Sequence, residues 1–143
     1  MPKIIIYAPS GTFDIDARWD VCSALTELAL DCEHLPPSPF VRSTVWTYFN
    51  DYDPDAVFMD DSPATLIAVS VQIYVIKGGL DNAGKRRLIQ GTTLIAGRYC
   101  ATHTGLIPVY VVIHELPESN WGLFGENANL AALRSSAIDL PAL

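Results

Sequence analysis

The sequence predicts an α/β fold in which two tandem β-α-β units form one four-stranded sheet with two helices on one face. Two very apolar, strand-like runs, 3–7 and 67–77, each lead through a glycine turn into a helix opened by an aspartate. A second apolar strand follows each helix. Gly11 and Gly79 stand at corresponding turns 68 positions apart, and Asp51 and Glu115 at corresponding strand ends 64 apart. The chain therefore reads as one unit written twice: a single domain over 1–143, with repeats at about 1–64 and 65–125 and a C-terminal tail.

In chain order, Ile4-Ile5-Ile6-Tyr7 is the first strand and Ala8-Pro9-Ser10-Gly11-Thr12 the turn after it. Asp14 is a good N-cap, and Ile15, Trp19, Cys22, Leu25 and Ala29 follow at helical spacing as the expected apolar face. Pro36-Pro37 ends that helix. Residues 42–50 alternate and are rich in Val, Thr, Trp, Tyr and Phe, as a strand would be. An acidic turn over 50–55 then leads to a short arm, Ala56-Val57-Phe58-Met59.

The second unit repeats the order. After the strand 67–77 comes the turn Gly78-Gly79-Leu80, then a helix capped by Asp81 and running to about His103, with Leu88, Thr92, Ile95, Ala96 and Tyr99 on its apolar face. Gly84, Gly91 and Gly97 each cost that helix about 1 kcal/mol relative to alanine, a cost that close helix packing would explain. Residues 108–116 form the last long strand, Leu123-Phe124 a short arm, and the tail from Glu126 a short helix or an arm packed on a neighbour. Right-handed crossovers put both helices on one sheet face. The other face is then apolar and open, and is expected to meet other subunits.

Composition narrows the partners. The net charge of −7 argues against a nucleic acid or an anionic membrane, so the few cations become informative for a small anionic ligand. Cys22, Cys32 and Cys100 are an odd number without a CxxC pair, which fits reduced thiols in a cytoplasmic protein. His34, His103 and His114 have no metal-ligand spacing with the cysteines, and Gly78-Gly79 lacks a phosphate-loop or dinucleotide pattern, so no metal and no cofactor is expected.

Pro2 is the residue with the most distinctive chemistry. Once Met1 is removed it carries a free secondary amine at a strand tip, and an N-terminal amine titrates at about 7.7 to 8.0 before burial or a cation lowers it. Such a group takes up and returns protons near neutral pH. Lys77, at a strand end, is either a point-charge anchor for a carboxylate or a solvated lysine. Arg42 either contributes from the neighbouring strand or is an exposed loop arginine. Trp121, in a turn beside Gly122, is a pocket wall, a subunit contact, or both. Tyr110 is a hydrogen-bond donor or a core residue. Lys85, Arg86 and Arg87 read as a solvated helix face.

Met1-Pro2, the turn glycine after the first strand, and the run Val111-Val112-Ile113-His114-Glu115-Leu116-Pro117-Glu118-Ser119-Asn120-Trp121-Gly122 together resemble the tautomerase superfamily. The nearest patterns are 4-oxalocrotonate tautomerase and its fused relatives around cis-3-chloroacrylic acid dehalogenase. The resemblance implies a fold like that of macrophage migration inhibitory factor, assembly as a homotrimer, and a cofactor-free keto-enol tautomerase of small 2-hydroxy/2-oxo (di)enoates. In it Pro2 is the general acid/base, Lys77 anchors the acid, and Tyr110 and Trp121 shape the pocket. The family's clamp arginines fall on Thr12, Leu80, Trp46 and Tyr110, and the dehalogenase's pair on Lys77 and Leu80. Its helix histidine falls on Ala29 and its activating tyrosine on Val112. The alternatives are a hydratase or dehalogenase of small unsaturated acids, which needs Glu115 or Glu118 aimed into the pocket, and a catalytically silent ligand-binding relative with Met1 retained.

Overall fold

The computed structural model describes residues 1–63, 67–100 and 105–143. The first unit runs β1 (Lys3–Pro9), α1 (Ile15–Cys32), α2 (Pro39–Ser43), β2 (Trp46–Tyr52) and the small hairpin β3 (Phe58–Met59) and β4 (Ser62–Pro63). The second runs β5 (Val69–Ile76), α3 (Asn82–Gly97), β6 (Val109–Leu116) and the hairpin β7 (Gly122–Leu123) and β8 (Glu126–Asn127), followed by α4 (Leu130–Arg134). One four-stranded sheet has the order β2-β1-β5-β6. Within each unit the two long strands are parallel, and β1 and β5 join the units antiparallel.

Alternation along the strands sorts the core. Ile4, Ile6 and Ala8 of β1 and Val69, Val71, Ile73 and Val75 of β5 pack with Val21, Leu25 and Ala29 of α1 and Leu88, Thr92 and Ala96 of α3. Both long helices thus cover one face. A Cβ added at Gly91 would lie 2.5 Å from Leu28 of α1, so this glycine does set the helix-helix approach. The expected apolar stripe of α1 is rotated: Ile15 and Trp19 are exposed, and Ala17 and Val21 are buried instead. Phe13, just before the helix, is buried against the Phe49 and Tyr99 rings.

Three further expectations change. Residues 42 and 43 belong to α2, because Ser38 caps a helical turn with Pro39 at its first position, so β2 starts later, at Trp46. The expected acidic turn at Asn50-Asp51-Tyr52 is instead the end of β2. The tail folds back on its own chain: Leu130 and Leu133 of α4 join Leu30, Leu35, Val41 and Ile76 in a second apolar cluster at the sheet end. Helix α3 ends at Gly97 with Arg98 as its cap residue, short of the expected end near His103; His103 itself and the repeat junction at 64 and 65 lie outside the described residues.

The repeat shows in detail, with a corrected offset. Gly11 and Gly78, at φ +87° and +86°, hold the left-handed turn positions, so the partner of Gly11 is Gly78 rather than Gly79, and the period in this part is 67. Asp14 and Asp81, also 67 apart, each cap a helix by accepting from the N–H three residues on. Arg18 pairs with Asp51 and Lys85 with Glu115, at 2.7 Å and 2.5 Å. The counterpart of Pro2 is therefore Val69, inside the chain.

The face away from the helices is less apolar than expected. Ile5 and Val112 lie among Trp46, Tyr48, Tyr74, Tyr110 and His114, and the Tyr74 and His114 rings stack 4.5 Å apart.

Candidate functional site

Strand β1 is paired on both sides from Lys3 onward, and the Trp46 N–H donates to the Pro2 carbonyl, so the chain start is pinned at the sheet end. Proline suits this place because the first strand residue needs no N–H donor. A cavity of about 350 Å³ opens there. Pro2 and Lys3 form one wall, and Trp46, Tyr48, Tyr74 and Trp121 form much of the rest. Trp121 comes from the turn after β6, so the second unit closes the site of the first. Among the described residues lining this cavity, Lys3 is the one cationic side chain. Its Nζ lies 5.2 Å from the Tyr48 ring centroid, a cation–π contact that steadies it over the opening.

Of the residues singled out in the sequence, the structure brings Pro2 and Trp121 together. Lys77 is exposed just beyond β5, with its N–H on the Leu116 carbonyl, and does not line this cavity. Arg42 sits on α2 and pairs with Glu27 of α1 at 3.4 Å. Tyr110 is the second residue of β6, four residues before the His114 that pairs with Tyr74, which places it roughly 13 Å along the sheet from the Pro2 end. It lines a second cavity of about 720 Å³ at the opposite end of the sheet.

That second cavity is the repeat's copy of the first. Lys3 pairs with Trp46 in the first unit, and Ser70 with Tyr110 in the second. Ser70 therefore stands where the first site has Lys3, Tyr110 where it has Trp46, and Val69 where it has Pro2. No charged side chain is among the described residues lining the copy. Its proline position lies mid-chain and has no terminal amine.

Behind Pro2 lies a group that local sequence patterns do not reveal. Glu33, the cap residue ending α1, is fully buried, and its Oε2 accepts from the Met1 ammonium at 3.1 Å. Burial pushes the Met1 amine below its ordinary value of 8.0, and the Glu33 charge opposes the shift. Burial likewise pushes the Glu33 carboxyl above 4.5, opposed first by the Met1 amine and then by Arg134. The Arg134 guanidinium donates to the Glu33 carbonyl at 3.0 Å and the Gly79 carbonyl at 3.1 Å, tying α4 to this corner. A Cβ on Gly79 would lie 2.7 Å from Glu33 Oε1, so glycine is needed there for the carboxylate to fit.

Neither of the other two candidate carboxylates faces the Pro2 cavity. Glu115 is held by Lys85, and Glu118 accepts from the Leu130 N–H at 2.7 Å. Among the described residues no group of three or more His, Cys, Asp or Glu is placed to hold a metal ion.

The arrangement of sheet, paired helices and terminal cavity also occurs in solved structures. A member of the cis-3-chloroacrylic acid dehalogenase family matches with a TM-score of 0.72 and 25% identity, over 89% of this chain and 83% of its own. The chain has the tautomerase-superfamily fold. A fused 4-OT that forms a symmetric trimer matches with a TM-score of 0.72 and 17% identity, over 90% of this chain and 98% of its own. The macrophage migration inhibitory factor of Toxoplasma gondii matches with a TM-score of 0.65 and 13% identity, over 88% and 99%. No family model and no curated protein matches the sequence. The two tandem β-α-β units expected from the sequence are the ones this fold contains.

Proposed function

We propose that this chain is a cofactor-free tautomerase of small 2-hydroxy/2-oxo (di)enoates, acting through the Pro2 amine in chains from which Met1 has been removed. The observation that supports it is that Pro2 and Lys3 line one cavity together with Tyr48, Tyr74 and Trp121. Lys3 holds the substrate carboxylate as a point charge, in the place of the arginines the sequence lacks. The neutral Pro2 amine takes the proton from the enol hydroxyl or an acidic carbon, and the resulting ammonium returns it elsewhere on the same molecule. The aromatic walls exclude water from the conjugated part of the substrate. Assembly as a homotrimer through the open sheet face belongs to the same reading, supported by the trimers among the similar structures and by the aromatic character of that face.

One specific observation favours a second reading, a ligand-binding relative that does not transfer protons. With Met1 in place, the Pro2 nitrogen is an amide and the free amine is turned away onto Glu33. A hydratase is less favoured, because Glu115 and Glu118 are both engaged elsewhere.

Intact mass on protein made from its own start codon, combined with turnover of phenylenolpyruvate and 2-hydroxymuconate, tests the proposal. Chains lacking Met1 are expected to turn over, and Pro2→Ala to slow them by about a hundredfold, within the usual range for loss of a positioned acid/base. Full activity in Pro2→Ala, or none in chains lacking Met1, would remove Pro2 as the base.

A further inference from the structure

The corner behind Pro2 is built around Met1 on two independent counts. The side chain of Met1 is 4% exposed and packs in the cluster with Leu30, Leu35, Ile76 and Trp121. Its ammonium reaches a carboxylate that is itself fully buried. A buried carboxylate is costly unless paired, and this one is boxed in by Gly79 and Arg134, with no hydrogen-bond partner for Oε1 among the described residues. Met1 therefore fills an apolar niche and neutralises a buried charge at once.

We propose that this niche is a latch on the initiator methionine, which shields Met1 from aminopeptidase removal once the chain has folded. An aminopeptidase must take both the free ammonium and the methionine side chain into its own site, and here both are occupied. The scissile Met1-Pro2 bond is followed directly by the Pro2 carbonyl, held by the Trp46 N–H, and by the doubly paired strand β1. Exposing the bond requires this corner to open. Hydrolysis by the aminopeptidase adds water across the bond: the hydroxyl completes the methionine carboxyl, and the proton leaves Pro2 as a secondary amine. Whether a chain carries that amine is thus decided before folding, and a chain folded with Met1 stays in the form without a basic nitrogen at Pro2. The protection stands apart from any activity; only its consequence for proton transfer rests on the tautomerase reading.

The test uses folded chain made with Met1 intact in the presence of an aminopeptidase inhibitor, then freed of inhibitor and incubated with a metal-loaded methionine aminopeptidase. Intact mass is followed over time, with a peptide of the first seven residues as the unfolded standard. The folded chain is expected to lose methionine at least about tenfold more slowly than the peptide, as a buried terminus requires. Equal rates overturn the latch. Glu33→Gln, shown to be folded by circular dichroism, is expected to lose Met1 faster than the original chain but still more slowly than the peptide, because the Met1 side chain and β1 stay packed, and protection equal to the original chain removes Glu33 from the device. If Glu33→Gln does not fold, Gly79→Ala takes its place by putting a methyl where Glu33 Oε1 sits, with the same two outcomes. Turnover of phenylenolpyruvate, measured separately on chains lacking Met1, reports on the tautomerase reading alone.

Discussion

Lys3 and Tyr48 meet on the open face of the sheet, with the lysine ammonium 5.2 Å from the ring centroid, because β1 and β2 run parallel with Ile5 opposite Tyr48 and Lys3 one step earlier on the same face. The contact fixes a cation beside Pro2 in a cavity with Trp46, Tyr48, Tyr74 and Trp121 in its lining. Lys3→Met keeps the apolar stem and removes the charge. It is expected to raise KM for an anionic enol about fivefold while leaving a neutral enol nearly unchanged, since an exposed ion contact contributes about 1 kcal/mol. Lys77→Ala is expected to move neither value by more than about twofold, as for a surface substitution away from the site. Steady-state kinetics on phenylenolpyruvate and its methyl ester distinguish the two lysines. Equal effects of Lys3→Met on both substrates would show that Lys3 does not hold the acid.

The buried pair of Met1 and Glu33 gives stability a particular pH dependence. The folded Glu33 carboxyl holds its proton to higher pH than the unfolded one, whose ordinary value is 4.5. The folded state therefore binds more protons as pH rises above 4.5, and unfolding free energy falls through that window. The folded Met1 amine gives up its proton below 8.0, so the unfolded state binds more protons just under that value and stability recovers towards it. Urea titrations across this range are expected to show a trough between the two ordinary values for chains carrying Met1, and Glu33→Gln is expected to lose the fall on the acid side. At neutral pH that substitution is expected to cost about 3 kcal/mol, the scale for breaking a buried pair from one side. A pH profile identical in both proteins would mean that the pair does not titrate with folding.

What the sequence discloses and what it conceals divide along physical lines. Asp14 and Asp81 are legible as caps because the signal is local: an aspartate before a helical pattern accepts from a nearby N–H. The doubled unit is legible because offsets survive in residue types, although Gly78 and Gly79 side by side hide which one takes the left-handed turn. The role of Glu33 is not legible, since its partner is 32 positions away and is a main-chain amine rather than a side chain. Lys3 is visible on a strand, but only the order β2-β1-β5-β6 tells that its end of the sheet carries the cavity. The buried face of α1 misleads because Ile15 and Trp19 obey helical spacing yet are exposed, while Phe13, ahead of the helix, is buried.

The three cysteines differ in reach. Burial pushes the Cys100 thiol up to about 11, and it donates to the Ala96 carbonyl. Burial also raises the Cys32 and Cys22 thiols, but Cys32 is buried whereas Cys22 is only half-buried. Reactivity follows the thiolate fraction and access. Iodoacetamide at mildly alkaline pH is therefore expected to label Cys22 first and Cys100 only after unfolding, read by peptide mass mapping. Rapid labelling of Cys100 in the folded chain would contradict its packing against the core.

Because β1 and β5 are antiparallel and each helix returns along its own strand, α1 and α3 also lie antiparallel, with the start of α3 near the end of α1. Gly84 beside the Cys32 carbonyl and Phe13 beside Tyr99 mark the two ends. The caps Asp14 and Asp81 therefore sit about 25 Å apart, the length of helices of this size. Each accepts one backbone N–H, from Ala17 at 2.8 Å and from Gly84 at 2.6 Å. Asp14→Ala and Asp81→Ala are each expected to cost about 1 kcal/mol. With no shared partner, the double substitution is expected to cost their sum to within about 0.5 kcal/mol. Equilibrium unfolding of the four proteins in urea measures this. A deficit well beyond the sum would mean that the two repeats support each other through the α1 and α3 contact more tightly than their separated caps imply.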